Sequence, residues 1–408
     1  MINKRRLLIV FTVILVIISI NLFDLKMLLD GWFKYIRFLF LLFTAVISLP
    51  YLFQFKGVFV LPLQLITISI ILSLLMAYYT WDQGIMDSLI STTPYLIWVF
   101  YFFLKRHTLS IAVIEKIIVG YGILYMLLYT YQYLNVSTVY FGYGEEIIEE
   151  RGVFRFILTG LGFLVMTIFI SINKITSLKR VSLHWYVLAV SGFLIIILQA
   201  TRQNIVIILL LIIYHFTRSM GMIKKSFLII LTLLLLFNLD NLDNEIVQGL
   251  ISAQKTTVEQ GEDYIRVLAG EYFLLDFSPN LSSRILGNGV PYGEKSDYGK
   301  FVKALNEYDL FYLEDVGIIS VYALFGVLAF IGFVLIWIKS FLLPLPKRFN
   351  YLKYYLWYLL FTSLTSNYTY HYSFIVVTVF AIYCFDTIYL YNTKVNQIKR
   401  LNNIKIKR

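Results

Sequence analysis

The chain has 408 residues, of which 59% are hydrophobic, 18% aromatic and only 14% charged, and its mean hydropathy is +0.77. Soluble domains carry about 25% charged residues to keep their surface solvated, so this composition excludes them and predicts a polytopic integral membrane protein whose surface faces lipid. The net charge of +11, from 35 Lys+Arg against 24 Asp+Glu, therefore does not read as a nucleic-acid surface, and the lone Cys384 excludes an internal disulfide or a thiolate metal cluster.

A hydrocarbon core of about 30 Å takes a helix of about 20 apolar residues, and the alternating strands of a barrel do not match runs of this length. The fold class is therefore all-α. Asn3-Lys4-Arg5-Arg6 ahead of the apolar run from Leu7 to Phe23 has the outline of a signal peptide. No small-residue cleavage site follows it and many apolar segments come after, so it reads as a retained first span. In chain order the spans fall near 7–23, 36–55, 58–79, 88–104, 117–134, 156–172, 185–200, 203–217, 226–239, 313–338, 354–367 and 371–391. That makes roughly twelve transmembrane helices. The seventh with the eighth and the eleventh with the twelfth are short or closely spaced, so ten or eleven full crossings with re-entrant pieces are the alternative.

Lys and Arg are retained on the cytoplasmic side of a membrane. With the N-terminus inside, 23 of the 35 basic residues fall there, against only Glu115 and Asp386 among the 24 acids. Two basic ends require an even number of spans, which puts both termini in the cytoplasm and the chain in the cytoplasmic membrane as a multi-pass protein. The organisation is then helices 1 to 9 with short loops over 1–239, a large extracytoplasmic loop over 240–312, helices 10 to 12 over 313–391, and a basic cytoplasmic tail over 392–408. The loop carries 6 basic and 12 acidic residues between Asp240 and Phe311, a net of −6. Within it, Tyr264 to Phe277 has the spacing of an amphipathic surface helix. Pro279-Asn280, Gly287-Asn288-Gly289 and Pro291-Tyr292-Gly293 are turn chemistry, which predicts a compact folded loop.

Four arginines stand at the outer boundary, where the topology rule does not require them: Arg151 and Arg155 before the sixth span, Arg202 between the seventh and eighth, and Arg266 at the start of the surface helix. Each either snorkels to lipid phosphates or joins the others in a bidentate clamp for a diphosphate. At the junction of the large loop with the tenth span, Glu314 and Asp315 either cap the helix N-terminus or supply a general base, partly desolvated at the bilayer edge. Tyr292, Tyr298, Tyr308 and Tyr312 read as exposed rings able to stack on sugars, in a chain whose 32 tyrosines mostly fit interface belts.

Four features together resemble the O-antigen polymerase and ligase superfamily. They are the Arg before a mid-chain span, Thr201-Arg202-Gln203 near a span end, Ile285-Leu286-Gly287-Asn288-Gly289 in the long outer loop, and Glu314-Asp315-Val316-Gly317-Ile318-Ile319 leading into a span with Gly326 and Gly332. The Wzy-type polysaccharide polymerases belong to this superfamily. In its ligase branch a loop His lies eleven residues before a Gly; here Asp315 takes that place before Gly326, and none of His107, His184, His215 and His371 lies in the large loop, which fits a polymerase better than a ligase.

The resemblance implies glycosyl transfer at the outer face, moving a growing glycan from its polyprenyl diphosphate onto an incoming lipid-linked repeat unit to build O-antigen, capsule or exopolysaccharide. Arg155 and Arg202, with Arg266 and Arg151, would hold the diphosphate; Asp315, with Glu314 as runner-up, would orient or deprotonate the acceptor hydroxyl. It implies no metal and no other cofactor, with the bilayer, the lipid-linked substrate and a flippase and chain-length regulator of the same pathway as partners. The rival readings are a ligase transferring glycan to an acceptor, a lipid-linked oligosaccharide transporter, and a non-catalytic scaffold. Twelve spans suit a transporter, but one late loop without an early counterpart does not suit its repeated halves.

Overall fold

A computed structural model describes residues 4–29, 32–150, 153–178, 180–199, 201–218 and 264–406. The expected ninth span at 226–239, most of the first part of the large loop, and Arg151 lie outside the described residues. The rest is mostly helical, as its composition requires, and five helices are long and apolar enough to cross a membrane: Phe33–Tyr51, Val60–Trp81, Ile111–Leu134, Ile318–Leu342 and Tyr372–Gln397.

The first helix, α1 (Lys4–Ser19), is followed by a left-handed turn in which Asn21, Leu22, Phe23 and Asp24 all have φ between 52° and 58°. Then come α2 (Phe33–Ser48), α3 (Val60–Trp81), α4 (Ile85–Thr92) and α5 (Phe100–His107). The span expected at 88–104 is divided between α4 and α5, with a 3-10 segment at Tyr95–Val99 between them. Pro94 is the physical reason: it lacks the N–H that would continue the α-helical ladder.

After α6 (Ile111–Leu134) the chain departs from an all-α design. An antiparallel hairpin pairs β1 (Tyr143–Glu150) with β2 (Val153–Ile157), Ile148 facing Arg155. The sixth apolar helix, α7 (Leu161–Ser177), consequently starts at Leu161 rather than at 156. It is the central helix, with every residue from Leu161 to Asn173 buried, and α6, α8 (Leu183–Leu198), α14 and α15 (below) pack around it. Next is α9 (Arg202–Thr217).

The described part of the long loop holds α10 (Ile265–Leu275), α11 (Leu281–Leu286) and α12 (Asp297–Ala304), followed by a π turn at Leu305–Asp309. The chain then enters α13 (Ile318–Leu342), α14 (Tyr351–Thr362) and the 35-residue α15 (Tyr372–Ile406). At about 1.5 Å per residue, the 12-residue α14 is only about 18 Å long, shorter than the span expected at 354–367.

The segment 264–317 is folded against the helices, as its turn chemistry predicts. The Ile285–Gly289 stretch crosses α13 at a kink where Gly326 has φ 80°, and Gly287 opposite it has φ 85°. A Cβ on Gly287 would collide with the Leu324 carbonyl, and one on Gly326 with the Ile285 carbonyl, so both must be glycine for the crossing to close. Asn288 and Gly289 then donate their N–H groups to the Ala323 and Leu324 carbonyls at 3.0 and 2.8 Å, and Ser69 donates to the Phe325 carbonyl freed by the kink. Trp81, at the end of α3, stacks on Tyr298 with centroids 4.6 Å apart and donates to Asn288 Oδ1 at 3.0 Å. Gln83 ties in the following residues, donating to the Val290 carbonyl while accepting from Tyr292 N–H and Ser296 Oγ. Tyr298 is thus fully buried, its hydroxyl on the Gly289 carbonyl, and is a packing residue rather than an exposed sugar-stacking ring.

Candidate functional site

A cavity of about 560 Å³ opens at the end of the helices that carries the hairpin. This is the size of a small-molecule or oligosaccharide pocket. Its floor comes from α6, α7, α13 and α15, and its walls from the end of β2, the α8–α9 junction, the turn before α13 and the residues leading into α15. Its lining includes Glu314, His371, Asn306, Gln199, Tyr312 and Tyr370.

Glu314 and Asp315 lie in a 3-10 turn, Leu313–Asp315, just ahead of α13. The turn is fixed from two sides, because Ser320 Oγ and Tyr370 Oη both donate to the Leu313 carbonyl. Ile318 N–H also donates to the Ser363 carbonyl at 2.6 Å, which anchors the start of α13. Of the two carboxylates, Glu314 faces the cavity. It is accessible there yet surrounded by protein, and this desolvation, with the neighbouring Asp315 charge, pushes its pKa above the usual carboxylate range. Asp315 does not line the cavity. It accepts from Arg266 Nη2 at 3.3 Å, the two side chains being 42% and 37% exposed. The order expected from sequence, Asp315 ahead of Glu314, is therefore reversed as to which carboxylate faces open space.

Of the other arginines, Arg202 opens α9 directly after the cavity-lining Thr201. Gln203 beside it accepts from Thr365 and Ser366 at 2.9 and 2.8 Å, which fixes that helix start to the α14–α15 connection. The Arg155 backbone is in β2, directly before the lining residues Phe156 and Ile157. Arg266 and Asp315 are in contact, while Arg155 and Arg202 each stand next in sequence to a cavity-lining residue, Phe156 and Thr201. Of the exposed tyrosines expected from sequence, Tyr312 lines the cavity and is 42% exposed, whereas Tyr308, 83% exposed, is not among its lining residues.

Several cavity residues escaped the sequence reading. His371 lies on the wall, Nδ1 2.8 Å from Ser373 Oγ, although it is far in sequence from the large loop. Thr159, also on the wall, donates to the Ile20 carbonyl at 2.7 Å and so touches the left-handed turn. Behind that wall Asn21 donates to buried Asp24 at 2.7 Å, and the Arg37 guanidinium lies 4.5 Å over the ring of Tyr372, which lines the cavity. Arg37 opens the second expected span from the same side as the four arginines singled out, so the criterion applied to them would have found it.

At the other end of the helices, the acids are closed by partners. Asp386 accepts from Lys105 at 2.5 Å, from Tyr101 Oη at 2.6 Å and from Val58 N–H at 2.9 Å, while Glu115 accepts from Lys174 at 2.8 Å and Tyr351 Oη at 2.5 Å. Among the described residues, no three His, Cys, Asp or Glu come together as a metal site. No protein-family model matches the chain, and no curated protein matches its sequence.

Proposed function

We propose that this chain is a membrane glycosyltransferase that polymerises polyprenyl-diphosphate-linked repeat units into a surface polysaccharide at the outer face of the cytoplasmic membrane. In this reading about twelve spans place both basic termini in the cytoplasm, and the loop from 240 to 312 lies outside. The observation that carries it is Glu314, a carboxylate of raised pKa facing a cavity rich in tyrosines and amides, with the Arg266–Asp315 pair beside it. A raised pKa makes such a group a stronger base than an ordinary carboxylate.

In the reaction, Glu314 takes the proton of the acceptor sugar's hydroxyl as that oxygen forms a bond to the anomeric carbon of the growing glycan. The anomeric C–O bond to the diphosphate breaks, and its electron pair leaves with the polyprenyl diphosphate. Arg155, Arg202, Arg266 and Arg151 neutralise the charge on this leaving group. Asp315, held by Arg266, raises the proton affinity of Glu314 without touching the acceptor.

A ligase is the second reading, favoured by one observation: His371 supplies an imidazole to the cavity that Glu314 also lines. The transporter reading gains no such support, because Glu115 and Asp386 are each occupied by a Lys and a Tyr.

The test is product formation by the purified protein in lipid nanodiscs, supplied with lipid-linked repeat units and resolved by chain length. Wild type should give a ladder, and Glu314→Gln should slow it by about 100-fold or more, the usual worth of a general base. Single-step transfer to a different acceptor would make the protein a ligase. A Glu314→Gln ladder equal to wild type would remove the proposed base.

A further inference from the structure

A second cavity, an open groove of about 560 Å³, lies between α1 and α6, and the glycosyl-transfer chemistry makes no use of it. The two helices run parallel: Arg5 Nη2 donates to Ser110 Oγ at 3.3 Å where both begin, and Tyr121 Oη donates to the Val13 carbonyl at 2.7 Å further along. Ile9, Val13 and Ile17, four residues apart on one stripe of α1, form one wall, and Val113, Ile117 and Leu124 of α6 the other. Gly120 lies midway along the α6 wall, where a Cβ would meet nothing within 4 Å. Glycine inside a helix is destabilising relative to alanine, and no neighbour in the chain packs against this one. Gly122, by contrast, has Thr167 pressed against it. The groove therefore has room for a second molecule at mid-length.

Towards the end that carries Arg5 the lining turns cationic. Lys116 faces the groove there, exposed and without a partner among the described residues, while neighbouring Glu115 is engaged by Lys174 and Tyr351. We infer that this groove binds an anionic phospholipid: one acyl chain lies along the α1 stripe past Gly120, and the phosphate meets Lys116 and Arg5. Such a lipid joins the two chemistries the groove presents, an apolar channel and positive charge at one end, and basic pockets between membrane helices recur as sites for anionic headgroups. A helix from a second copy would instead cover Lys116 with apolar side chains and leave its charge desolvated and unpaired, which is costly in a membrane. The site goes beyond the glycosyl-transfer reading and stands or falls without it.

The experiment is native mass spectrometry of the full-length protein released from detergent micelles, titrated with dioleoyl phosphatidylglycerol or dioleoyl phosphatidylcholine. These lipids share their acyl chains and differ in headgroup charge. Wild type should bind the first phosphatidylglycerol about tenfold more tightly than phosphatidylcholine, and Lys116→Gln should cut that preference by about fivefold, the usual worth of one cation at an anionic headgroup. Gly120→Leu fills the groove, keeps every charge and replaces glycine by a better helix former on an open face, so it should fold normally and bind phosphatidylglycerol about tenfold more weakly. Lys394→Gln removes an exposed cation of α15 that does not line the groove and should change neither affinity. Equal affinity of wild type for the two lipids, unchanged binding by Gly120→Leu, or a loss of preference in Lys394→Gln as large as in Lys116→Gln overturns the assignment.

Discussion

Arg266 Nη2 lies 3.3 Å from Asp315 Oδ1, so the first turn of α10 is tied to the carboxylate next to Glu314. Both side chains are about two-fifths exposed, and an ion pair of this kind contributes about 0–1 kcal/mol to stability. Its larger consequence is electrostatic, because the Asp315 charge is what Glu314 feels after burial.

A pH profile separates these effects. A base acts only when ionised, so the acidic limb of activity follows the Glu314 pKa, which burial and then Asp315 raise above the ordinary carboxylate range. Asp315→Asn removes the repelling charge and should move the limb to lower pH. Arg266→Ala leaves Asp315 uncompensated and should move it to higher pH. Shifts of both variants in the same direction would rule out Glu314 as the group responsible.

At the opposite end, Lys105 and Asp386 form a pair whose side chains are 12% and 1% exposed. Removing one partner of such a pair leaves an isolated buried charge, which costs about 3–5 kcal/mol. Lys105→Met should therefore lower the unfolding midpoint in detergent sharply. Adding Asp386→Asn should restore more than half of the loss, since the amide oxygen can still accept from Val58 N–H while the amide nitrogen donates to Tyr101 Oη. Additive losses in the double variant would show that the two residues do not act as a pair.

The crossing of Gly287 and Gly326 makes a third expectation. Gly326→Ala both strains a φ of 80° and drives a Cβ into the Ile285 carbonyl, so limited proteolysis should cut the 264–317 segment faster at Lys295 and Lys303. Gly120→Ala, in mid-helix with nothing within 4 Å of the added carbon, should instead stabilise by about 0.5–1 kcal/mol. Equal protease resistance of Gly326→Ala and wild type would mean that the crossing does not hold the segment.

Tyr298 supplies a fourth. Its buried hydroxyl donates to the Gly289 carbonyl at 3.1 Å, so Tyr298→Phe leaves that acceptor unmatched at a cost of about 1–3 kcal/mol without touching the cavity. A lowered Tm with unchanged product chain length is the expected result. A changed chain length at unchanged Tm would return Tyr298 to the sugar-contacting role.

Much of the architecture was legible because lipid imposes a strong code. Long apolar runs gave α3 and α13 to within about five residues at either end, whereas α6 begins at Ile111 ahead of the expected 117 and α15 runs to Ile406, well past the expected 391; the glycine and proline clusters of 279–293 marked turns that the chain adopts. The hairpin was not legible: Val153 to Ile157 is too short a run for its alternation to outweigh the apolar stretch that follows it. Pro94 was visible in the sequence, but the apolar residues on either side joined into one span until the helix was seen to break. Site residues divided in the same way. Glu314, Asp315 and Arg266 were found because charge beside an apolar run stands out. His371 and Asn306 line the cavity only through tertiary packing that no local pattern encodes, whereas Arg37, behind its wall, carries the same signal of charge beside an apolar run.

The anchoring of the 264–317 segment also fixes when this end of the protein can close during synthesis. Trp81 and Asn288 are 207 residues apart, as are Gln83 and Val290. At about 5–20 residues per second, the indole of Trp81 waits roughly 10–40 s after its own synthesis before its partner exists. The cavity is therefore completed late, by the C-terminal third of the chain folding back onto a helix made long before, and α3 must be held in register by its other neighbours until then.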